Sequence, residues 1–139
     1  METSELINRA RTVFNNDCFA TEATGIVINH VDYHTAQCSL TLDRRHHNAR
    51  GVAMGGVLFT LADFATAVAA NSDCLSDSNL HWVSLDSTIH FLSPAIGSQL
   101  TANTSPLKLG RTTSLYQTII ENPDNGKRIA IVETTMMYV

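Results

Sequence analysis

Asp63 is the only charged residue in an otherwise apolar run that extends from Gly55 to Ala70. A helix that is apolar on nearly every face is expected to be buried, and an ionised carboxylate there is costly unless it is paired or hydrogen-bonded. Gly55 and Gly56 stand where a loop would enter this helix, so unpaired backbone N–H groups and the positive end of the helix dipole are available there. A carboxylate that acts as base or nucleophile, and N–H donors that stabilise an oxyanion, are the parts that hydrolysis at a carbonyl requires.

The spacing of these parts predicts how they must be assembled. Asp63 lies eight positions after Gly55, which corresponds to about 12 Å along a helix axis at ~1.5 Å per residue. The two groups of one chain are therefore too far apart to touch the same carbonyl. We expect Asp63 of one protomer to face Gly55 of a second, with the two helices antiparallel and two equivalent sites in each dimer.

Each of these residues also has a purely structural interpretation. Gly55 and Gly56 could serve only to let the helix pack closely against a sheet. Asp63 could be a buried carboxylate that neighbouring backbone groups or Thr hydroxyls satisfy. Asn48 could be a turn residue, or a side chain that orients a water molecule or the carboxylate.

Composition limits the classes of partner. The chain has 139 residues, enough for about one domain, and a net charge of -4. No cluster of basic residues is longer than Arg44-Arg45, so nucleic acid is not an expected partner. The N-terminus lacks the pattern of a secretory signal, and the apolar run is interrupted by Asp63 and short for a bilayer. We therefore expect a cytoplasmic protein without a membrane partner.

Cysteine and histidine patterns do not indicate a metal. Three cysteines at wide spacings suit reduced thiols better than a disulfide framework or a zinc site. His30 and His34 stand four residues apart, but they flank an expected turn rather than share a helix face, and no Cys joins them at ligand spacing. No metal ligands are predicted.

The elements that must position these residues form an α+β domain. Residues 1–19 are expected to form a peripheral helical segment, and 26–28 and 36–42 to form an antiparallel hairpin. After the long helix, alternating patterns separated by turn signals predict four more strands, at 82–91, 99–107, 112–121 and 127–138, as an antiparallel meander. A single domain over 1–139 follows, with an antiparallel sheet of five to six strands wrapped around one long central helix. An exposed sheet edge favours pairing with a second copy.

A family resemblance rests on residues around the glycine pair. Residues 46–56, followed by 58–63 with their acidic position, resemble hotdog-fold thioesterases of the PaaI-like and 4-hydroxybenzoyl-CoA type. Those proteins typically show an Asn, a Gly, then His-Gly-Gly and an acidic residue on the helix. The Ser-Pro turn within 91–95 and the connection at 108–111 are also similar to theirs. The resemblance covers roughly residues 20 to 139.

The resemblance implies an acyl-CoA thioesterase of hotdog fold, a homodimer or a dimer of dimers, which converts a thioester into a free acid and CoA. Asp63 would be the general base or nucleophile, the Gly55 N–H the oxyanion donor, and Asn48 the third catalytic residue. No cofactor is implied beyond coenzyme A as part of the substrate. Substrate-binding residues would be Met54, Gly56, Thr66, His90, Lys108, Gly110, Arg111 and Thr112, with the cations facing the CoA phosphates.

Met54 departs from the family pattern, which commonly has His before the glycine pair. A thioether neither donates a hydrogen bond nor exchanges a proton. A chain without that His could depend on backbone N–H groups alone, or it could be a non-catalytic acyl-CoA binding module on the same fold. A third hypothesis is a hydratase or dehydratase that acts on acyl thioesters, which would require a His and a carboxylate together at the site.

Overall fold

The computed structural model describes residues 2–76 and 79–139. Over these residues the chain forms, in order, α1 (Thr3–Phe14), a π-helical turn (Phe19–Thr24), β1 (Val27–Asp32), β2 (Thr35–Thr41), a 3-10 turn (Arg44–His46), α2 (Gly55–Ala70), β3 (Trp82–Phe91), β4 (Gln99–Lys108), β5 (Thr113–Glu121) and β6 (Arg128–Tyr138). Within the described ranges, no helix is both long and apolar enough to cross a membrane.

The six strands form one antiparallel sheet in the order β1-β2-β4-β5-β6-β3. One face of this sheet packs on α2, because alternate strand residues such as Leu40, Ala102 and Ile120 are apolar and fully buried. Leu61 and Val68 of α2 are equally buried. The predicted α+β hotdog architecture, a sheet curved around a central helix, is confirmed.

The N-terminal segment contributes to the core from outside the sheet. Leu6, Ala10 and Phe14 of α1 recur at a spacing of four and are buried, which is the pattern of an amphipathic helix. The Phe14 ring meets the Phe64 ring of α2 edge to face, with centroids 5.7 Å apart. The predicted extent of one domain over 1–139 stays a prediction.

The predicted four-strand meander is wrong in one pairing. β3 pairs with β6, from Trp82 opposite Tyr138 to Phe91 opposite Ala130, rather than with β4. Of the four strands after α2, β4, β5 and β6 form the consecutive neighbours, and the chain after Phe91 crosses to β4, which lies beside β2. Alternation reveals the two faces of a strand but not its neighbours. β3 is therefore an edge strand.

The central helix is not buried on all sides, contrary to the expectation from its composition. Gly56, Phe59 and Asp63 are exposed and Ala67 is half-buried. Their spacings of three and four put them on one stripe of α2. A single sheet covers only one side of a helix, so this stripe remains open in an isolated protomer.

Candidate active site

Asp63 lies on the open stripe of α2, where it meets the edge strand. Ser84 of β3 donates a hydrogen bond from Oγ to Asp63 Oδ1 at 3.2 Å. Partial desolvation by the surrounding side chains is the main reason why the pKa of Asp63 is raised above its ordinary value. The Ser84 hydrogen bond acts in the opposite direction, and the negative charge of Asp17 adds a smaller upward effect. Asp63 is thus an accessible carboxylate that holds its proton more tightly than usual.

The N-terminus of α2 presents two backbone donors. The helical hydrogen bonds begin with the N–H groups of Val57 and Leu58, which both donate to Met54 O. The N–H groups of Gly55 and Gly56 find no acceptor in the part of the chain that the structure describes. These N–H groups lie at the positive end of the helix dipole, where they can stabilise a developing negative charge.

Phe91 lies directly beside the first glycine. A Cβ built on Gly55 would come within 3.0 Å of Phe91 Cζ, whereas one built on Gly56 would have no atom within 4 Å. Gly55 therefore lets the aromatic ring at the end of β3 approach the helix terminus closely. The ring itself is exposed.

The loop before α2 is fixed by hydrogen bonds. Asn48 Oδ1 accepts the N–H groups of Arg50 and Val52, at 2.9 and 3.3 Å. Asn48 therefore has the turn role that its residue type suggested. Because its oxygen is occupied, Nδ2 is the polar group left to meet a ligand. No protein acceptor for Nδ2 is found among the described residues.

A buried histidine anchors the same loop. His46 is 2% exposed; its Nδ1 accepts the Asp43 N–H at 3.0 Å, and its Nε2 lies 2.7 Å from Thr24 O. Nε2 therefore carries the proton and donates. The backbone of His46 in turn accepts the Met54 N–H at 2.9 Å, so His46 supports the helix terminus and is not available to a ligand.

An open depression of about 650 Å³ brings Asn48 and Gly55 together. Arg50 stands on its wall, and the remaining lining is mostly apolar: Val52, Ala53, Leu58, Phe91, Leu92, Ser93, Pro94, Ala95 and Ile96. A concave, largely apolar site with a few polar groups is the usual form of a small-molecule pocket. Asp63 does not line this depression, because it lies eight positions further along α2 than Gly55.

The expected CoA-contacting residues lie elsewhere. Gly110, Arg111 and Thr112 line a second depression of about 660 Å³, together with Asp73, Cys74, His81, Trp82 and Tyr138. This depression lies at the Trp82 end of β3, whereas the first one lies at the Phe91 end. Lys108 is exposed at the end of β4. Gly110 is required for a steric reason, since any Cβ there would collide with the carbonyl oxygen of Thr113.

Of the predicted substrate-binding residues, five line neither depression: Met54, Gly56, Thr66, His90 and Lys108. Thr66 is 1% exposed and faces the sheet; its Oγ1 donates to Ala62 O at 2.8 Å and lies 3.0 Å from Thr118 Oγ1. His90 alternates with Ile89, which packs on the core, and Phe91, which meets Gly55, so it points to the other face of the sheet. Helix rotation and strand register set these two directions, and neither was visible in the sequence; the assignment of Thr66 and His90 to substrate binding stays a prediction.

Ser84 is the functional candidate that the sequence reasoning missed. Its contact with Asp63 depends on the bulge between Ser84 and Asp86, which resets the alternation of β3. Met54, in contrast, is where it was expected, at the N-cap of α2, and is 56% exposed. Met54 does not line the first depression.

Comparison with known proteins decides the family. The family model described as the thioesterase superfamily matches residues 50–129, which include the end of the loop before α2, α2 itself, β3, β4 and β5. The chain belongs to the thioesterase superfamily. Membership confirms the predicted class of enzyme, a thioester hydrolase, and the expected PaaI-like resemblance.

Individual members of the superfamily are similar over most of the chain. The acyl-coenzyme A thioesterase PaaI of Escherichia coli K12 is 35% identical over 114 residues, 81% of this chain and 77% of that one. The human acyl-coenzyme A thioesterase 13 is 30% identical over 94 residues, 67% of this chain and 65% of that one. The solved structure of the E. coli PaaI protein superposes with a TM-score of 0.84 at 29% identity and covers 96% of both chains.

Proposed function

We propose that this chain is an acyl-CoA thioesterase whose site forms between two copies, with Asp63 from one and the Gly55 N–H from the other. Membership of the thioesterase superfamily and relatives named as acyl-coenzyme A thioesterases support the substrate class. The observation that carries the shared site is the position of the two groups at opposite ends of the same free strand edge.

Asp63 is tied to Ser84 near the start of β3, and Gly55 lies beside Phe91 at its end. β3 is an edge strand, and an edge presents unpaired N–H and C=O groups to another strand. If two β3 edges pair antiparallel about a two-fold axis, the Ser84 end of each lies beside the Phe91 end of the other. Each carboxylate then faces the free N–H groups of the other copy.

The same pairing would cover the open side of the helix. Phe59 on α2 and Val83 and Leu85 on β3 are large apolar residues that are 37%, 42% and 55% exposed in the single protomer. Apolar side chains clustered along one unpaired edge are typical of an interface. A dimer, or a dimer of such dimers, is the assembly that we propose.

The chemistry needs one water molecule and no further reagent. The thioester carbonyl accepts hydrogen bonds from the Gly55 N–H and from Asn48 Nδ2 as its oxygen becomes negative. Asp63 either removes a proton from the attacking water or attacks the carbonyl itself, forming an anhydride that water then hydrolyses. In both cases the C–S bond breaks, the CoA thiolate gains a proton, and a carboxylic acid is released.

The pocket suits an acyl group on the apolar side and a charged carrier at the rim. Leu58, Phe91 and Ile96 are positioned to contact the acyl chain in the first depression. Arg50 stands at that depression, and Arg111 at the second one; both are exposed cations suited to CoA phosphates. We propose Lys108, Gly110 and Thr112 as further CoA contacts.

A non-catalytic acyl-CoA binding module is the second candidate, and Met54 is the observation that favours it. A solvent-exposed thioether at the helix N-cap cannot polarise a carbonyl. The two candidates share the pocket and differ only in turnover.

Thiol release measured over a panel of short, medium and aromatic acyl-CoAs separates the candidates. We expect turnover by the unmodified protein, a loss of about 10²–10⁴-fold in Asp63→Asn, and retained acyl-CoA binding by that variant. Binding without thiol release across the whole panel supports the binding module. An increase or decrease in enoyl absorbance without thiol release would instead indicate a hydratase or dehydratase.

A further inference from the structure

The residue that ends α2 interacts with the edge strand in an unusual way. Asn71 is 1% exposed. Its Oδ1 accepts the Trp82 N–H at 2.9 Å, and its Nδ2 donates to Trp82 O at 3.1 Å and to Ala67 O at 3.0 Å. The side-chain amide thus pairs with both backbone groups of Trp82, as the next strand of a sheet would.

These two backbone groups belong to the free edge of β3. His81 O accepts the Val139 N–H at 2.7 Å, so residues 81 and 139 form a hydrogen-bonded pair. In an antiparallel ladder such pairs alternate with non-bonded ones, so Trp82 does not bond to Tyr138, its partner in β6. Tyr138 instead gives its N–H to Thr112 O on its other side. The N–H and C=O of Trp82 therefore point away from β6.

We propose that Asn71 is a register stop for the dimer: it occupies the free edge at Trp82 and confines a second copy's β3 to residues 84–91. This inference rests on the proposed pairing of β3 edges. A strand that adds to the edge needs the N–H and C=O groups that it meets to be open, and at Trp82 both are already paired. The edge that stays open begins at Ser84.

The stop selects the alignment that the shared site requires. When two copies of the open edge pair antiparallel, the two-fold axis passes through the middle of that edge, between residues 84 and 91. Ser84 of each copy then lies at the Phe91 end of the other, which brings Asp63 to the helix terminus beside Gly55. If the open edge extended to Trp82, the two-fold axis would move towards Asp86. Asp63 of one copy would then no longer lie beside Gly55 of the other. Asn71 is thus a positioning residue and does not touch substrate.

Disulfide crosslinking reads the alignment without reference to activity. Single cysteines replace Asp86, Thr88 or His90, all on the outer face of β3, in a Cys18→Ser, Cys74→Ser background that keeps the buried Cys38. The two copies are related by a two-fold axis, so a cysteine can form a disulfide with the same cysteine of the second copy only where both lie near that axis. We expect oxidation to yield most dimer from Thr88→Cys, and the addition of Asn71→Ala to move the maximum to Asp86→Cys.

The possible failures differ. An unchanged crosslinking maximum in Asn71→Ala overturns the register stop and leaves the dimer standing. An absence of crosslinks at all three positions overturns the β3 pairing itself, and with it the shared site. Asn71→Asp, which keeps the shape and the acceptor for the Trp82 N–H but loses the donor, replaces Asn71→Ala should that variant not fold; a smaller shift in the same direction is then expected.

Hydrogen exchange on the unmodified protein gives a second readout that no folding defect can affect. On dilution from dimer to monomer, the free-edge N–H of Ile89 should lose protection because it pairs with the second copy. The Trp82 N–H should keep its protection because Asn71, in the same chain, accepts it. Loss of protection at Trp82 together with Ile89 would overturn the stop.

Discussion

Ser84 Oγ donates to Asp63 Oδ1 at 3.2 Å, and this hydrogen bond links the edge strand to the middle of the central helix. It stabilises the ionised carboxylate, and so opposes the desolvation that raises the pKa of Asp63. Ser84 therefore adjusts the pH at which Asp63 can act as a base or nucleophile.

Removing that hydroxyl should shift the pH dependence of turnover. In Ser84→Ala the pKa of Asp63 rises further, so the acidic limb of the kcat/KM profile should move to higher pH. Ser87→Ala is the matched control, because Ser87 lies on the same strand and bonds to Thr134 Oγ1 at 2.8 Å instead. Profiles of the three proteins that coincide would show that Asp63 is not the group that limits the rate at low pH.

The raised pKa of Asp63 also has a consequence for stability. Between the ordinary value of 3.8 and the raised value, the folded chain binds more protons at this site than the unfolded chain, so this contribution to stability falls as the pH rises through that window. Asp63→Asn removes the dependence. We expect its melting temperature at neutral pH, at equal protein concentration, to be at least that of the unmodified protein; a clear decrease would contradict the desolvation.

Gly55 permits a test of the oxyanion donor that spares the helix. Gly55 is the first helical position, where Pro is well tolerated, and Met54 before it already has the extended backbone that Pro requires, with ψ 143°. Gly55→Pro deletes the N–H and should lower kcat by about 10²–10³-fold. Gly55→Ala keeps the N–H and presses only on the end of the Phe91 ring, so it should lose far less; equal losses would indicate crowding rather than a missing donor.

Met54 tests whether the missing histidine limits the rate. Met54→His places a proton donor at the N-cap of α2 and should raise kcat, while Met54→Leu, similar in shape and without a donor, should leave it near that of the unmodified protein. Single-turnover thiol release measures both. A decrease in Met54→His would mean that the pocket is built around the thioether.

The features of the fold that could be predicted from the sequence are those that depend on local sequence patterns. The strand at Trp82–Phe91 and the helix at Gly55–Ala70 were predicted with the observed boundaries, because alternation and an apolar run bounded by glycine and turn residues are local patterns. The pairing of β3 with β6 was not, since it joins segments that no local pattern connects.

The candidate site shows the same division. Asn48, Gly55 and Asp63 were predicted from residue type and spacing, and the first two line one depression; their catalytic roles stay a prediction. The direction of Thr66, which is buried against the sheet, was not predicted because the rotation of α2 about its axis depends on the sheet that covers it. Ser84 was missed because a bulge in β3 sets its direction.

The most direct test of the shared site mixes two inactive proteins. Asp63→Asn and Gly55→Pro homodimers are each expected to be inactive, and they are unfolded and refolded together, with each one refolded alone as control. A heterodimer has one site in which both groups are changed and one in which both are intact. The account expects thiol release to return in the mixture, to about a quarter of the unmodified activity for random pairing. If heterodimers form and the mixture stays inactive, then Asp63 and Gly55 of the same chain serve one site, and the account is contradicted.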